Sequence, residues 1–162
     1  MKFEIRNARP DELDRLAAIM LAAWQQGIAP LVPGPAPVVG IGAPTLPRAT
    51  SALLVATVAG EPVGLAAADV GNAYVSDLWV EPACQGRGVG SALLAALEAR
   101  IAATGRRIVQ LEVLSANVRA MALYRYRGYR PVWEGLKLDR GLGLPLHKTG
   151  MRKRLVPRPT RP

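Results

Sequence analysis

One cysteine, one histidine and one phenylalanine in 162 residues exclude several classes of protein at once. Cys84 has no partner for an internal disulfide, and His147 alone offers no clustered His/Cys set, so no metal site is expected. No uninterrupted apolar run reaches the roughly 20 residues that cross a bilayer. The longest uncharged region, Leu16 to Pro47, is broken repeatedly by proline and glycine. The start, Met1-Lys2-Phe3-Glu4-Ile5-Arg6, lacks the apolar centre of a secretory signal, so a cytoplasmic protein without membrane contact is expected. Acidic residues are also scarce: 12 Asp and Glu stand against 21 Lys and Arg, giving a net charge of +9. Arg119 to Arg161 holds twelve of the basic residues against only Glu134 and Asp139. That asymmetry reads first as a solvated basic face and second as an RNA-docking surface, since no aromatic-and-basic nucleic-acid motif accompanies it.

What is present fits one domain, residues 1–155, followed by a basic, proline-rich tail at 156–162 that is expected to fray. Lys2 to Arg6 alternates as a short strand. Pro10-Asp11-Glu12 then supplies the first-turn proline and acids of a helix whose buried face carries Leu13, Leu16, Ala17, Met20, Leu21 and Trp24. Trp24 is expected in the core. Gly27 to Pro47 holds six prolines, four glycines and no charge, and reads as a loop or surface insertion. Ser51 to Val58, Val63 to Val70 and Tyr74 to Val80 read as three antiparallel strands joined at Gly60-Glu61 and Gly71-Asn72. Val89, Leu93, Leu94, Leu97 and Ile101 fall on one face of a helix that Gly105 stops. Ile108 to Leu114 is a further strand, Asn117 the N-cap of a helix ended by Gly128, and Tyr129 to Lys137 and His147 to Leu155 the last strands. The order of elements predicts an α/β (α+β) fold: a mixed, twisted sheet of about six to seven strands, flanked by helices and splayed after the strand that ends at Val80.

Two signatures carry the chemistry. Val80-Glu81-Pro82-Ala83-Cys84-Gln85-Gly86-Arg87-Gly88-Val89-Gly90-Ser91 is a strand end, a glycine-dense loop and a helix start. Glycines allow close backbone approach, and the opening helix turn presents unpaired N–H groups at the positive end of the dipole, which suits a pyrophosphate. Alone, the pattern fits a bare tight turn equally well. It lacks the Gly-Lys-Ser/Thr ending of a nucleotide-triphosphate loop and the Gly-x-Gly-x-x-Gly of a dinucleotide fold. Asn117-Val118-Arg119-Ala120-Met121-Ala122-Leu123-Tyr124-Arg125-Tyr126-Arg127-Gly128-Tyr129 repeats the strand-to-helix logic one strand later.

Gln85-x-x-Gly88-x-Gly90 and Asn117-x-x-Ala120-x-x-Leu123-Tyr124-x-x-x-Gly128-Tyr129, in this order, resemble the loop and helix motifs of the GNAT superfamily of acyl-CoA-dependent N-acyltransferases. The resemblance spans roughly Phe3 to Leu155 and is sharp from about Tyr74 to Val132. It implies acetyl-CoA as acyl donor, a primary amine as acceptor and direct transfer between them. By resemblance, backbone N–H groups around Leu78, Trp79 and Val80 pair with the pantetheine arm. Gln85, Gly86 and the N–H groups of Arg87, Gly88, Val89, Gly90 and Ser91 hold the pyrophosphate. Asn117 and Ala120 border the pantetheine, and Tyr124 binds the cofactor and protonates the departing thiolate.

Two carboxylates compete for the base. Leu111-Glu112-Val113 upstream of Asn117 and Tyr124 resembles the ribosomal-protein N-terminal alanine acetyltransferases, whose matching glutamate is the base, and this puts Glu112 first. Asp77 borders the cleft and either takes the proton or holds the amine's charge. The plainer reading of each is a half-exposed strand carboxylate paired with an arginine. Cys84 sits beside the pyrophosphate loop and reads as inert, and His147 reads as a surface residue. A homodimer is implied by the resemblance, and so is the use of Gly27 to Pro47 as an apolar, semi-rigid lid over the acceptor site. The alternative function is a basic CoA-binding module for sensing or for docking to RNA or protein, with acetylation of an RNA-linked amine such as aminoacyl-tRNA as a hybrid.

Overall fold

In a computed structural model, residues 1–34, 52–139 and 142–155 are described, and within them the chain builds a seven-stranded mixed sheet flanked by three helices. The strands are β1 (Glu4–Asn7), β2 (Ala52–Val58), β3 (Glu61–Asp69), β4 (Tyr74–Val80), β5 (Ile108–Leu114), β6 (Arg130–Asp139) and β7 (Leu144–Arg154). The helices are α1 (Leu13–Gly27), α2 (Val89–Ala103) and α3 (Val118–Tyr126). The sheet order is β1-β2-β3-β4-β5-β7-β6, antiparallel throughout except at β4 and β5.

That one parallel junction decides where the site lies. β4 and β5 pair only at Tyr74 and Gln110, with the Gln110 N–H donating to the Ala73 carbonyl at 2.9 Å. Beyond that point the strands separate. The opening expected after Val80 therefore begins at the other end of β4, and most of that strand borders the gap.

Helices cover the two faces unequally. α2 and α3 pack on the face that carries Leu54, Ala56, Ala66, Val109, Leu111 and Val113, and the predicted α2 stripe from Val89 to Ile101 is buried there. α1 packs on the opposite face against Val55, Leu65 and Trp79. Its buried side is rotated from the expected one: Ile19 and Ala23 are inside with Leu16, Met20 and Trp24, whereas Leu13 and Ala17 are exposed. The cause is local. Pro10–Glu12 forms a separate 3-10 turn, so α1 starts only at Leu13, and Glu12 turns inward to accept hydrogen bonds from Arg6 Nη1 and from the backbone N–H of Arg9, both at 2.9 Å.

The strand boundaries also shift. Val58 pairs directly with Glu61, so the first hairpin turns on Ala59 and Gly60, both at positive φ, not on Gly60-Glu61, and β3 starts two residues early. β3 stops at Asp69, and residues 70–73 form a longer turn held by Asp69 accepting from the Asn72 N–H at 3.1 Å. β7 begins at Leu144 rather than His147, because the pairing with β6 continues out to Asp139 and Leu144. Gly150 of β7 supplies a close approach: the indole of Trp133 from β6 occupies the space where a Cβ would be. Gly128 ends α3 in the left-handed conformation as expected. Ala29–Leu31 is one 3-10 turn and the description continues to Gly34, whereas residues 35–51, which hold the rest of the Gly27 to Pro47 segment, and residues 140–141 and 156–162 lie outside the described residues.

Candidate active site

A cleft of about 1100 Å³ fills the gap between β4 and β5 and reaches both faces of the sheet. It brings together Asp77, Leu78, Trp79, Val80, Gln85, Gly86, Gly88, Gly90, Ser91, Glu112, Asn117, Ala120 and Tyr124 of the residues singled out from sequence. Arg87 and Val89 do not line it: Val89 points into the core, and Arg87 is exposed with its guanidinium near the Met1 sulfur. Their backbone N–H groups still belong to the loop and the first turn of α2.

One end of the cleft is built from main chain. Gly88 caps α2 in the left-handed region at φ 85°, a conformation that a β-branched side chain strains to adopt, and a Cβ there would meet only open space. No side chain caps α2, so its first N–H groups are unpartnered donors beside the cleft. Glu81 donates its N–H to Val63 of β3 at 2.9 Å. Because backbone groups alternate along a strand, the N–H groups of Leu78 and Val80 face the gap, while that of Trp79 faces β3. Trp79 contributes its indole instead, donating to Asp77 Oδ1 at 3.1 Å.

Two side chains tie this end together. Gln85 donates from Nε2 to the Val80 carbonyl at 2.9 Å and accepts from Arg119 Nη1 at 2.7 Å. Arg119, on the first turn of α3, thus holds a positive charge over the glycine loop, and sequence reading passed over it. Its position in the first turn of a helix, five residues before the buried Tyr124, was the available signal. Asn117 accepts from the Ala120 N–H at 3.1 Å, the capping role expected of it.

Tyr124 lines the cleft from α3, 8 % exposed. Burial, with Tyr74 and Asp77 adding to it, pushes its phenol well above the usual tyrosine range. It therefore stays protonated at any physiological pH and is suited to giving a proton, not to taking one.

The far end carries the acids. Tyr74 is pushed up to about 12, first by burial and then by the charges of Glu112, Asp77 and Asp139, so all three carboxylates act on its hydroxyl. Glu112 is paired with Lys137, and Asp139 accepts from Lys148 Nζ at 2.8 Å. Glu112 thus has a cationic partner, a lysine from β6 in place of the expected arginine, and that lysine also lies 5.4 Å over the Trp133 ring. Asp77 makes no ion pair among the described residues. The last turn of α1 closes this end with Trp24, Gln26, Gly27 and Ile28, and Leu142 and Leu146 line it from the β7 side. Trp24 is accordingly both core and wall.

The other marked residues lie apart. His147 is exposed, within 3.1 Å of Ser115 Oγ and 3.5 Å of Glu134. Cys84 sits in the 3-10 turn Pro82–Cys84 and is not among the cleft-lining residues. Part of the basic C-terminal third is engaged structurally, since Arg127 and Lys153 both bind the buried Glu98 of α2, at 3.0 and 2.6 Å.

Solved structures share this fold. A GCN5-related N-acetyltransferase from Rhodopseudomonas palustris is 25% identical, with a TM-score of 0.74 over 94% of this chain and 95% of its own. A ribosomal-protein-alanine N-acetyltransferase from Brucella melitensis is 22% identical, with a TM-score of 0.71 over 94% and 99%. A phosphinothricin acetyltransferase from Sinorhizobium meliloti, solved in complex with acetyl-CoA, is 21% identical, with a TM-score of 0.71 over 96% and 89%. The sequence model of the acetyltransferase (GNAT) family matches residues 21–129, from the middle of α1 through the glycine loop to the residue after α3's cap. With two thirds of its length matched and a cleft opened by the same single parallel junction that the motifs flank, the chain belongs to the acetyltransferase (GNAT) family.

Proposed function

We propose that this protein transfers an acetyl group from acetyl-CoA directly to a primary amine of a small molecule or a peptide N-terminus. The observation that carries this reading is a proton-holding tyrosine, Tyr124, lining the same cleft as an anion-suited main-chain cradle and the carboxylates of Asp77 and Glu112. Acetyl-CoA fits the cradle chemically: unpartnered N–H groups of α2 and Arg119 match its pyrophosphate, and the free N–H groups of Leu78 and Val80 match its amide-bearing arm.

The thioester supplies an activated acyl carbon. Asp77, free of any ion pair, holds the incoming ammonium by charge, and Glu112 receives the proton that the amine must lose before it attacks. Tyr124 gives its proton to the sulfur as the C–S bond breaks, and solvent restores it. Trp79 fixes the Asp77 carboxylate through its indole N–H. Transfer through Cys84 is not part of this scheme, since that thiol lies outside the cleft.

A cytoplasmic location fits the use of acetyl-CoA, and a homodimer is supported by β6, an edge strand with Val132, Leu136 and Leu138 exposed. The testing experiment is thiol release from acetyl-CoA by the purified protein with polyamines, amino acids, aminoglycosides and short peptides with free N-termini. Turnover above the fixed background of Cys84 with any class supports the proposal. Tight acetyl-CoA binding with no turnover across all classes would replace it with a binding module.

A further inference from the structure

Among the described residues, the charges at the acceptor end do not cancel. Lys137 and Lys148 are the cations described there, and each is already paired, with Glu112 and with Asp139. Asp77 is left with only a neutral indole donor, so the described residues leave one negative charge without a cation at the place nearest Tyr124. The last turn of α1 adds to the same sign, because Gln26, Gly27 and Ile28 present the negative end of a 15-residue helix to the cleft. Apart from these groups and the Tyr74 hydroxyl, the wall at this end carries the apolar side chains of Trp24, Ile28, Leu142 and Leu146.

An ammonium is matched by this arrangement. A carboxylate one carbon away from that ammonium is not: it would meet Asp77 and the helix end, and the lysines that could receive it are held by other acids. We infer that the acceptor is an amine with an apolar body and no carboxylate on the carbon bearing nitrogen, so that free α-amino acids are excluded by charge. The inference rests on the acetyltransferase reading and narrows its acceptor. An arylalkylamine and the N-terminal residue of a peptide share this chemistry, because in a peptide that carboxylate has become a neutral amide.

Three near-isosteric probes test it with acetyl-CoA and the full chain: phenethylamine, phenylalanine amide and phenylalanine. The amide and the free acid differ in charge but hardly in shape. The expected kcat/KM for phenylalanine is lower than for phenylalanine amide by at least about a hundredfold, the size expected for juxtaposed like charges in a cleft. Asp77→Asn, with its thermal midpoint as the folding control, should narrow that gap at least about tenfold, chiefly through KM for the amide. Turnover of phenethylamine alone assigns a small-molecule acceptor, and turnover of the amide alone assigns a peptide N-terminus. Phenylalanine used as well as its amide overturns the inference. So does turnover confined to a polyamine or an amino acid, although the acetyltransferase reading then stands. Silence with every amine class, acetyl-CoA binding being intact, removes both.

Discussion

The two ends of the cleft are built by different means. The donor end comes from two short runs of sequence and is made mostly of main chain: a glycine loop with the start of α2, and the first turn of α3, locked by Gln85 to Arg119 and to the Val80 carbonyl. The acceptor end is assembled from α1, β4, β5, β6 and β7 and consists of side chains whose charges pair across strands. Main-chain donors do not change when side chains change, so a motif can preserve them. Side-chain walls can be rebuilt one residue at a time, which allows one scaffold to accept different amines.

The largest expected effect strikes the donor end. Gly88→Val should weaken acetyl-CoA binding by at least about a hundredfold, because a branched side chain then stands where the backbone must meet the ligand. Gly105→Val is the matched control. It has a similar positive φ of 82°, also in open space, at the far end of the same helix, so normal binding there separates blockage from strain. Equal losses in the two variants, by calorimetry, would dissolve the distinction between the ends.

Tyr124→Phe lies at the boundary. It should lower turnover by about tenfold to a thousandfold with acetyl-CoA affinity nearly unchanged, the pattern of a lost general acid. Unaltered turnover would remove the tyrosine from the reaction.

At the acceptor end, Glu112→Gln and Asp77→Asn should separate in their pH–rate profiles. Glu112→Gln is expected to abolish the rise in rate toward alkaline pH, and Asp77→Asn to keep that rise while KM for the amine increases about tenfold. The reverse assignment would exchange the two roles and leave the donor end as described.

Arg119→Ala should have a smaller effect, weakening acetyl-CoA binding by about tenfold and flattening its salt dependence. Smallest for activity, and outside both ends, is Glu12→Gln. The Arg6 guanidinium, aided by the Arg9 N–H, lowers the Glu12 carboxyl to about 2 from its ordinary 4.5. A depressed carboxyl stabilises the fold above the unfolded value, and that contribution fades as pH falls from about 4.5 toward 2. The substitution should therefore cost on the order of 3 kcal/mol at neutral pH, flatten the acid limb of a melting series and leave kcat/KM intact at 25 °C. The opposite sign applies to Tyr74. Its raised phenol favours the fold below pH 10, and that contribution declines between pH 10 and about 12.

Much of this was legible from sequence for physical reasons that differ by region. The stripe from Val89 to Ile101 identified α2 because burial repeats at the helical period, and Asn117 and Gly128 marked the ends of α3 because caps obey local rules. The buried side of α1 was misjudged where a 3-10 turn shifted the helix start, and the first hairpin by one residue, because an alanine, Ala59, takes the positive φ that glycine usually supplies. Arg119 escaped notice since a single basic residue on a helix carries no period.

The glycine loop and the caps of α3 were readable in the sequence, because each is backbone geometry written into a short run of neighbouring residues. The charge pattern at the other end of the cleft was set by the fold. Whether Asp77 or Glu112 has a cationic partner depends on which strand lies beside β5, and Lys137 reaches Glu112 from β6 across β7, 25 residues away in the chain. Pairing of that kind is set by sheet order, and sheet order leaves no local pattern to read.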